Sequence, residues 1–108
     1  MIVEMRVYYC EPTRLPALLE RFREITLGFF EKYAIEQVGF WTTAVGPDNH
    51  SLIYLLKWRD MAHREQVWNA FQADPDWIAR RNATEAERPI VTRVENSFLA
   101  PTDFSALR

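Results

Sequence analysis

Hydrophobic and polar residues change their spacing along the chain, and each spacing predicts an element. From Ile2 to Cys10 they alternate, which is typical of a strand with one apolar and one mixed face. The apolar face carries Val3, Met5, Val7 and Tyr9, and the mixed face carries Ile2, Glu4, Arg6, Tyr8 and Cys10. A break follows at Pro12, and Thr13 has a side chain suited to the N-cap of a helix.

Between Arg14 and Tyr33 the apolar residues recur at helical spacing, which predicts an amphipathic helix. Its apolar stripe comprises Leu15, Leu18, Leu19, Phe22, Ile25, Phe29 and Phe30. Charged residues take the other side, and they are Glu20, Arg21, Arg23, Glu24, Glu31 and Lys32. We therefore expect the stripe to pack on the core and the charged side to lie in solvent.

The middle of the chain predicts a β-hairpin. One strand covers about Gln37 to Ala44, the turn residues Gly-Pro-Asp-Asn follow, and the next strand runs from about Ser51 to Trp58. The second of these strands does not alternate, because five consecutive apolar residues, Leu52 to Leu56, place apolar groups on both of its faces. An antiparallel strand with one wet face would alternate, so we expect both faces to be buried.

The second half of the chain repeats the order of a helical part and a strand. Asp60 is a suitable N-cap for a helix that continues through Phe71, with Arg64 near its outer side. Asp74 and Pro75 then predict the start of a second helical piece, which ends near Ala86. Alternation from Ile90 to Leu99 predicts the last strand.

The resulting order is β-α-β-β-α-β, which predicts one α+β domain over residues 1–108 with a ferredoxin-like fold and a four-stranded antiparallel sheet. Right-handed crossovers place both helical parts on the same side of this sheet. The other side is then bare in a single chain. Because the central strand is apolar on both faces, we expect a second copy to cover that side, giving a homodimer.

Composition narrows the partners and the compartment. A net charge of −2 argues against nucleic acid or an anionic membrane surface, and the basic group Arg80, Arg81 and Arg88 is interpreted as a solvated helix face. The single cysteine, Cys10, cannot form an intrachain disulfide and fits a small core residue. The sequence shows neither a signal-peptide pattern nor a membrane-spanning run, so we expect a cytoplasmic protein.

Common catalytic and cofactor motifs are missing. His50, His63 and Cys10 lack the spacing of metal ligands, so we expect no metal site. There is no nucleophile motif and no glycine-rich phosphate loop, and we expect no cofactor, although haem ligation by His63 alone stays open.

The remaining candidate is an aromatic pocket between sheet and helices with a few polar groups. Its candidate ligand-binding residues are Arg6, Tyr8, Trp41, Tyr54, Trp58 and His63. Each also has a structural interpretation: Arg6 can pair with Glu4 or Glu95 inside a dimer, and the aromatic residues can pack at the interface. The catalytic residues, if there are any, are unknown.

Four segments in order resemble the NIPSNAP family: EMRVYY, GFWTTAVGPDNH, IYLLKW and DPDW. The resemblance implies a dimeric α/β-barrel, in which two ferredoxin-like subunits pack their sheets face to face, but it implies no defined activity. Related barrels include cofactor-free and haem-degrading monooxygenases and small isomerases. We therefore expect a homodimer that binds a small apolar or aromatic molecule, with a cofactor-free monooxygenase or isomerase and a non-catalytic protein-interaction module as alternatives.

Overall fold

Strands and helices follow one another in the predicted order, and the computed structural model describes residues 1–108 throughout. The strands are β1 (Ile2–Cys10), β2 (Glu36–Thr42), β3 (Ser51–Trp58) and β4 (Val91–Leu99). The helices are α1 (Leu15–Arg21), α2 (Leu27–Lys32), α3 (Met61–Gln72) and α4 (Pro75–Glu85), with a π-helical segment (Phe22–Thr26) between α1 and α2.

The four strands form one sheet in the order β2-β3-β1-β4, and every neighbouring pair is antiparallel. This is the strand order of a ferredoxin-like fold, so the predicted α+β class and sheet are confirmed. Strand β2 ends at Thr42 rather than Ala44. A register shift between Gln37 and Gly39 leaves Val38 without a partner on β3, which is typical of a β-bulge.

The helices cover one side of the sheet, and β3 supplies the centre of the core there. Its residues Leu52, Tyr54, Leu56 and Trp58 are all buried. They meet aromatic side chains from the helices, and Tyr54 packs edge-on against Phe22 at 5.3 Å between ring centroids. Such pairs add to the burial of the large aromatic surfaces.

The opposite side of the sheet carries apolar residues that no helix covers. Strand pairing places Trp41 beside Ile53, Ile53 beside Val7, and Leu55 beside Met5 on this side. Ile53 and Leu55 are only partly buried in the single chain. The prediction that both faces of β3 are buried is therefore met on the helix side alone.

The predicted helix after β1 is confirmed over Leu15–Lys32, but its middle is π-helical rather than α-helical. The backbone N–H of Leu27 donates to the carbonyl of Phe22, five residues back, which defines the wider π turn. The Thr26 hydroxyl donates to the carbonyl of Arg21 at 3.4 Å. Such wide turns arise from local hydrogen bonding, which apolar periodicity does not report, and they occur often at functional sites.

The helix starts confirm two of the three predicted caps. Asp60 accepts a hydrogen bond from the backbone of His63 at 2.8 Å, and Asp74 accepts one from Asp76 at 2.8 Å. Thr13 is not a cap, because Arg14 takes the N-cap position and makes no side-chain bond there. Thr13 instead has a positive φ of 74° and accepts a hydrogen bond from Arg88.

No helix in the structure has the length and apolar character needed to cross a bilayer.

Candidate functional site

A buried carboxylate lies under the helices on the mixed face of β1. Glu4 has no solvent exposure and accepts five hydrogen bonds, all between 3.0 and 3.2 Å. The donors are Arg6, Trp58, Asn96 and, through two nitrogens, Arg64. This corrects the prediction for Arg64, which turns inward from α3 to reach the carboxylate.

This network keeps Glu4 ionised. Burial by itself raises the pKa of Glu4, but the hydrogen bonds from Arg64 and Asn96 and the charge of Arg6 outweigh it, so the pKa lies below its usual value. A carboxylate that already accepts five hydrogen bonds has little capacity to act as a general base. Its role here is to orient the two arginines.

Arg6 connects this carboxylate to two phenols. Its guanidinium donates to Glu4 at 3.0 Å and to the Tyr54 hydroxyl at 3.0 Å, and it lies 4.4 Å above the ring centroid of Trp68. Burial raises the pKa of Tyr54 well above its usual value, so Tyr54 stays protonated and donates to Tyr8 at 3.0 Å. Tyr8 thus accepts from Tyr54 and, at 3.4 Å, from Arg6.

Beside this network a cavity of about 400 Å³ opens between the sheet and the helices. Its walls come from β1, α1, the two later helices and β4. The lining residues are Arg6, Tyr8, Arg21, Gln72, Trp77, Arg81, Asn82, Glu85, Val91 and Val94. The cavity therefore combines an apolar wall with several cationic groups.

Arg21 is buried in this wall, which corrects the prediction that it lies on the solvent side of the helix. One terminal nitrogen donates to the Thr84 hydroxyl at 3.3 Å, and Glu85 is 3.9 Å away. The Nε atom is buried and has no acceptor in the chain. Burial lowers the pKa of Arg21, Glu85 opposes that shift, and the charge of Arg81 adds to it. The sequence contained a signal for the burial of Arg21, because this residue lies three positions after Leu18 and four before Ile25, inside the apolar stripe.

One face of α4 supplies the opposite wall of the cavity. Trp77, Arg81 and Glu85 are spaced four residues apart and so share that face. The buried indole Nε1 of Trp77 has no acceptor in the chain. The interpretation as a solvated helix face holds for Arg80, which is exposed on α4. It does not hold for Arg88, which is exposed but lies beyond the end of α4, or for Arg81, which is partly buried in the cavity wall.

The predicted candidate residues separate into three groups. Arg6 and Tyr8 line the cavity, and Tyr54 lies directly behind them. Trp58 is buried and donates from its indole to Glu4.

The other two candidates lie elsewhere. His63 packs edge-on against Trp58 at 5.4 Å, beside a different hollow, and accepts a hydrogen bond from the backbone of Arg59. Trp41 is half exposed on the opposite side of the sheet, where its ring lies over Gly39. The structure therefore does not bring Trp41 and His63 to the cavity.

The structure has no group of three or more His, Cys, Asp or Glu side chains in an arrangement that could hold a metal ion. Cys10 is buried, and burial raises the pKa of its thiol to about 11. At neutral pH this thiol is therefore protonated and a poor nucleophile.

Comparison with known proteins agrees with the fold. The NIPSNAP family model matches residues 3–106. The chain belongs to the NIPSNAP family. Human NipSnap homolog 3B is 26% identical over 98 residues, which are 91% of this chain and 39% of that protein. The chain thus spans well under half the length of the curated NipSnap homologs that it matches.

Two bacterial NIPSNAP structures match over nearly the whole chain. An uncharacterised NIPSNAP domain protein from Burkholderia xenovorans has a TM-score of 0.84 and 28% identity and covers 97% of this chain and 98% of its own. A NIPSNAP family protein from Agrobacterium tumefaciens has a TM-score of 0.88 and 25% identity, covering 99% and 98%. An antibiotic biosynthesis monooxygenase matches at a TM-score of 0.61 with 11% identity, which shows a shared fold alone.

Proposed function

We propose that this NIPSNAP protein binds a small organic molecule in the cavity between sheet and helices. The volume of about 400 Å³ falls within the range of roughly 300 to 1,000 Å³ that is usual for ligand pockets. Tyr8, Trp77, Val91 and Val94 offer apolar surface to such a ligand, and the remaining wall is polar. This is the combination expected of a site that holds an apolar body and orients it by a few polar contacts.

The observation that carries the proposal is the hydrogen bonding of Tyr8. Its hydroxyl oxygen accepts hydrogen bonds from both Tyr54 and Arg6, so its own O–H can donate to a further acceptor. Tyr8 lines the cavity, and a ligand oxygen there can accept a hydrogen bond from its hydroxyl. Because Glu4 fixes Arg6, and Arg6 holds Tyr54, the donor is positioned before a ligand arrives.

The same hydroxyl favours a second candidate function, a cofactor-free monooxygenase or isomerase. In such an enzyme Tyr8 would donate its proton to a ligand oxygen, and the adjacent charge of Arg6 would stabilise the resulting phenolate. The fold shared with an antibiotic biosynthesis monooxygenase agrees with this role but is not by itself evidence for it.

The proposed form of the protein is a homodimer, as the family resemblance implies. The uncovered side of the sheet presents Val7, Ile53 and Leu55 from its two central strands, with Trp41 toward one edge. A second copy placed on this side would bury these residues and form the dimeric α/β-barrel. The cavity lies on the opposite, helix-covered side, so each subunit would hold its own ligand.

A thermal-shift screen with a blocked-cavity variant tests ligand binding. The panel contains quinones, phenols, fatty acids and haem, and a ligand that binds the folded state raises the Tm according to its occupancy. Val94→Trp fills part of the cavity and should abolish the shift, whereas Val45→Trp, in a fully exposed loop, should keep it. A panel without any response, or responses that survive in Val94→Trp, would contradict the proposed site.

A further inference from the structure

The cavity has an electrostatic character that narrows the class of its ligand. We propose that it recognises a small carboxylic acid with an apolar body, whose carboxylate is held by Arg21 and Arg81. This inference rests on the proposed function, because it assigns chemistry to the same cavity.

The charges around the cavity are not balanced. Arginine occurs three times among its lining residues, and Glu85 is the single acidic one. Glu85 is also engaged elsewhere, because its two carboxylate oxygens accept the backbone N–H groups of Ile90 at 2.7 Å and Val91 at 3.4 Å. The carboxylate of Glu4 compensates Arg6 but is shared with Arg64. An excess of positive charge therefore remains in a partly dehydrated site, where it favours an anion.

Arg21 and Arg81 are the arginines whose pairing is incomplete. Arg21 is only 5% exposed, its nearest carboxylate is 3.9 Å away, and its Nε lacks an acceptor. Arg81 forms no salt bridge, and its guanidinium donates only to the neighbouring amide of Asn82, at 3.2 and 3.3 Å. Guanidinium groups bind carboxylates through paired N–H donors, so a bound carboxylate would supply the acceptors that the protein does not.

Other groups around the cavity fit the remainder of such a ligand. The indole of Trp77 provides a further buried donor without an acceptor, and Val91 and Val94 provide an apolar surface on the sheet. Since the cavity holds about 400 Å³, it has room for an aromatic or short aliphatic body besides the carboxylate. Tyr8, which is hydrogen-bonded to Arg6, can donate to a second oxygen of the ligand.

Matched pairs of acids and amides test the assignment directly. Benzoate, 1-naphthoate and octanoate are titrated by calorimetry against their primary amides, which have nearly the same shape and no charge. We expect at least one acid to bind about tenfold or more tightly than its amide, because hydrogen bonds to charged groups are the stronger ones. The ¹H–¹⁵N spectrum should show a shift of the Trp77 indole N–H and no shift for Trp41, which lies on the other side of the sheet.

Variants of the arginines separate recognition from folding. Arg21→Met and Arg81→Gln should each weaken binding of the acid about tenfold or more, whereas Arg80→Gln, at an exposed neighbouring position, should leave it unchanged. Arg21→Met should also keep or raise the Tm without ligand, because it removes a buried and poorly partnered charge. An arginine with a structural role would instead lower the Tm when replaced.

The possible results distinguish this inference from the proposed function. If an acid and its amide bind with equal affinity, and Val94→Trp abolishes the binding of both, the carboxylate assignment is overturned but the ligand site stands. The assignment also fails if acids bind and the Arg21 and Arg81 variants bind them as the wild type does. If neither these compounds nor the wider panel bind, the proposed function falls and this inference with it.

Discussion

Glu4 and Arg21 are both buried charged side chains, but only Glu4 has a complete set of partners. The carboxylate of Glu4 accepts five hydrogen bonds from four residues, including two arginines. Arg21 reaches one hydroxyl and a carboxylate at 3.9 Å. Removing one partner of a fully paired buried charge is strongly destabilising, whereas a buried charge with incomplete pairing costs stability unless a ligand completes it.

The first prediction concerns the fully paired charge. Glu4→Gln leaves Arg6 and Arg64, which are both largely but not fully buried, without their counterion, so we expect a loss of about 3–5 kcal/mol in the free energy of unfolding. Urea denaturation at pH 7 measures it. The control is Glu36→Gln, which breaks an exposed contact of 3.7 Å with Lys57 and should cost less than about 1 kcal/mol. Equal losses in the two variants would contradict the role of the network.

The pH dependence of stability follows from the same residue. Because the pKa of Glu4 is lower in the folded state, its contribution is complete above the unfolded-state pKa of about 4.3 and is lost as the pH falls through the folded-state value. Wild-type protein should therefore lose stability below about pH 4, and Glu4→Gln should lose less over that range. Urea midpoints between pH 7 and pH 3 supply the comparison. Parallel curves for the two proteins would show that Glu4 does not titrate in this way.

At the scale of single elements, the end of α2 shows how a local backbone motif stops a helix. The N–H of Ile35 donates to the carbonyl of Phe30 at 2.8 Å, and the N–H of Ala34 donates to Glu31 at 3.1 Å. This pair of bonds is a Schellman motif, and buried Ile35 and Phe30 supply its apolar residues. Ala34 takes the left-handed position with φ of 55°, where glycine is usual.

The third prediction concerns Ala34. Ala34→Gly removes the crowding of Cβ in the left-handed conformation and should stabilise the protein by about 1 kcal/mol. The opposite sign is expected for Ala79→Gly, in the exposed interior of α4, which should destabilise by about 0.5–1 kcal/mol. Thermal denaturation of both variants measures the two effects. A loss of stability in Ala34→Gly would contradict this interpretation of the helix end.

Elements were more predictable from the sequence than their irregularities. The sequence correctly predicted the alternating strands, the hairpin and the helix caps Asp60 and Asp74, because each of these features depends on residues close in sequence. The π-helical segment Phe22–Thr26 was not readable, since it differs from an α-helix by one residue per turn in hydrogen bonding. Thr13 failed as a cap because the chain places it in a left-handed conformation, with its hydroxyl bound to Arg88.

The cavity could be predicted only in part, because sequence patterns report mainly on residues that are close in sequence. Arg6 and Tyr8 were identified because they project from the mixed face of the first strand. Arg81 and Trp77 line the same cavity from a helix that lies about seventy residues later in the chain. The sequence pattern does not report that residues so far apart in the chain are close in space. Trp41 was grouped with them by residue type, although the bulge and pairing of β2 place it on the other side of the sheet.

At the scale of the whole molecule, the fourth prediction is the oligomeric state. Ile53 and Tyr54 are neighbours on β3, but Ile53 faces the uncovered side and Tyr54 the core. If a second copy covers the sheet, sedimentation at micromolar concentration should give a dimer, and Ile53→Glu should give a folded monomer. Tyr54→Glu should prevent folding, because it places a charge in the core.

The matched control for the dimer is Val45→Glu, which adds the same charge to a fully exposed loop and should leave both mass and Tm unchanged. A wild-type protein that sediments as a monomer at these concentrations would refute the dimer. So would an Ile53→Glu variant that retains the dimer with an unaltered dissociation constant.

The measurement that tests the ligand site most directly is a crystal structure of the protein soaked with the carboxylic acid that binds best in calorimetry. We predict electron density for its carboxylate against Arg21 and Arg81, with its apolar body between Trp77 and the valines of β4. Density for the acid at any other place, with none in the cavity at a concentration that saturates binding in solution, would contradict the assignment of this cavity as the functional site.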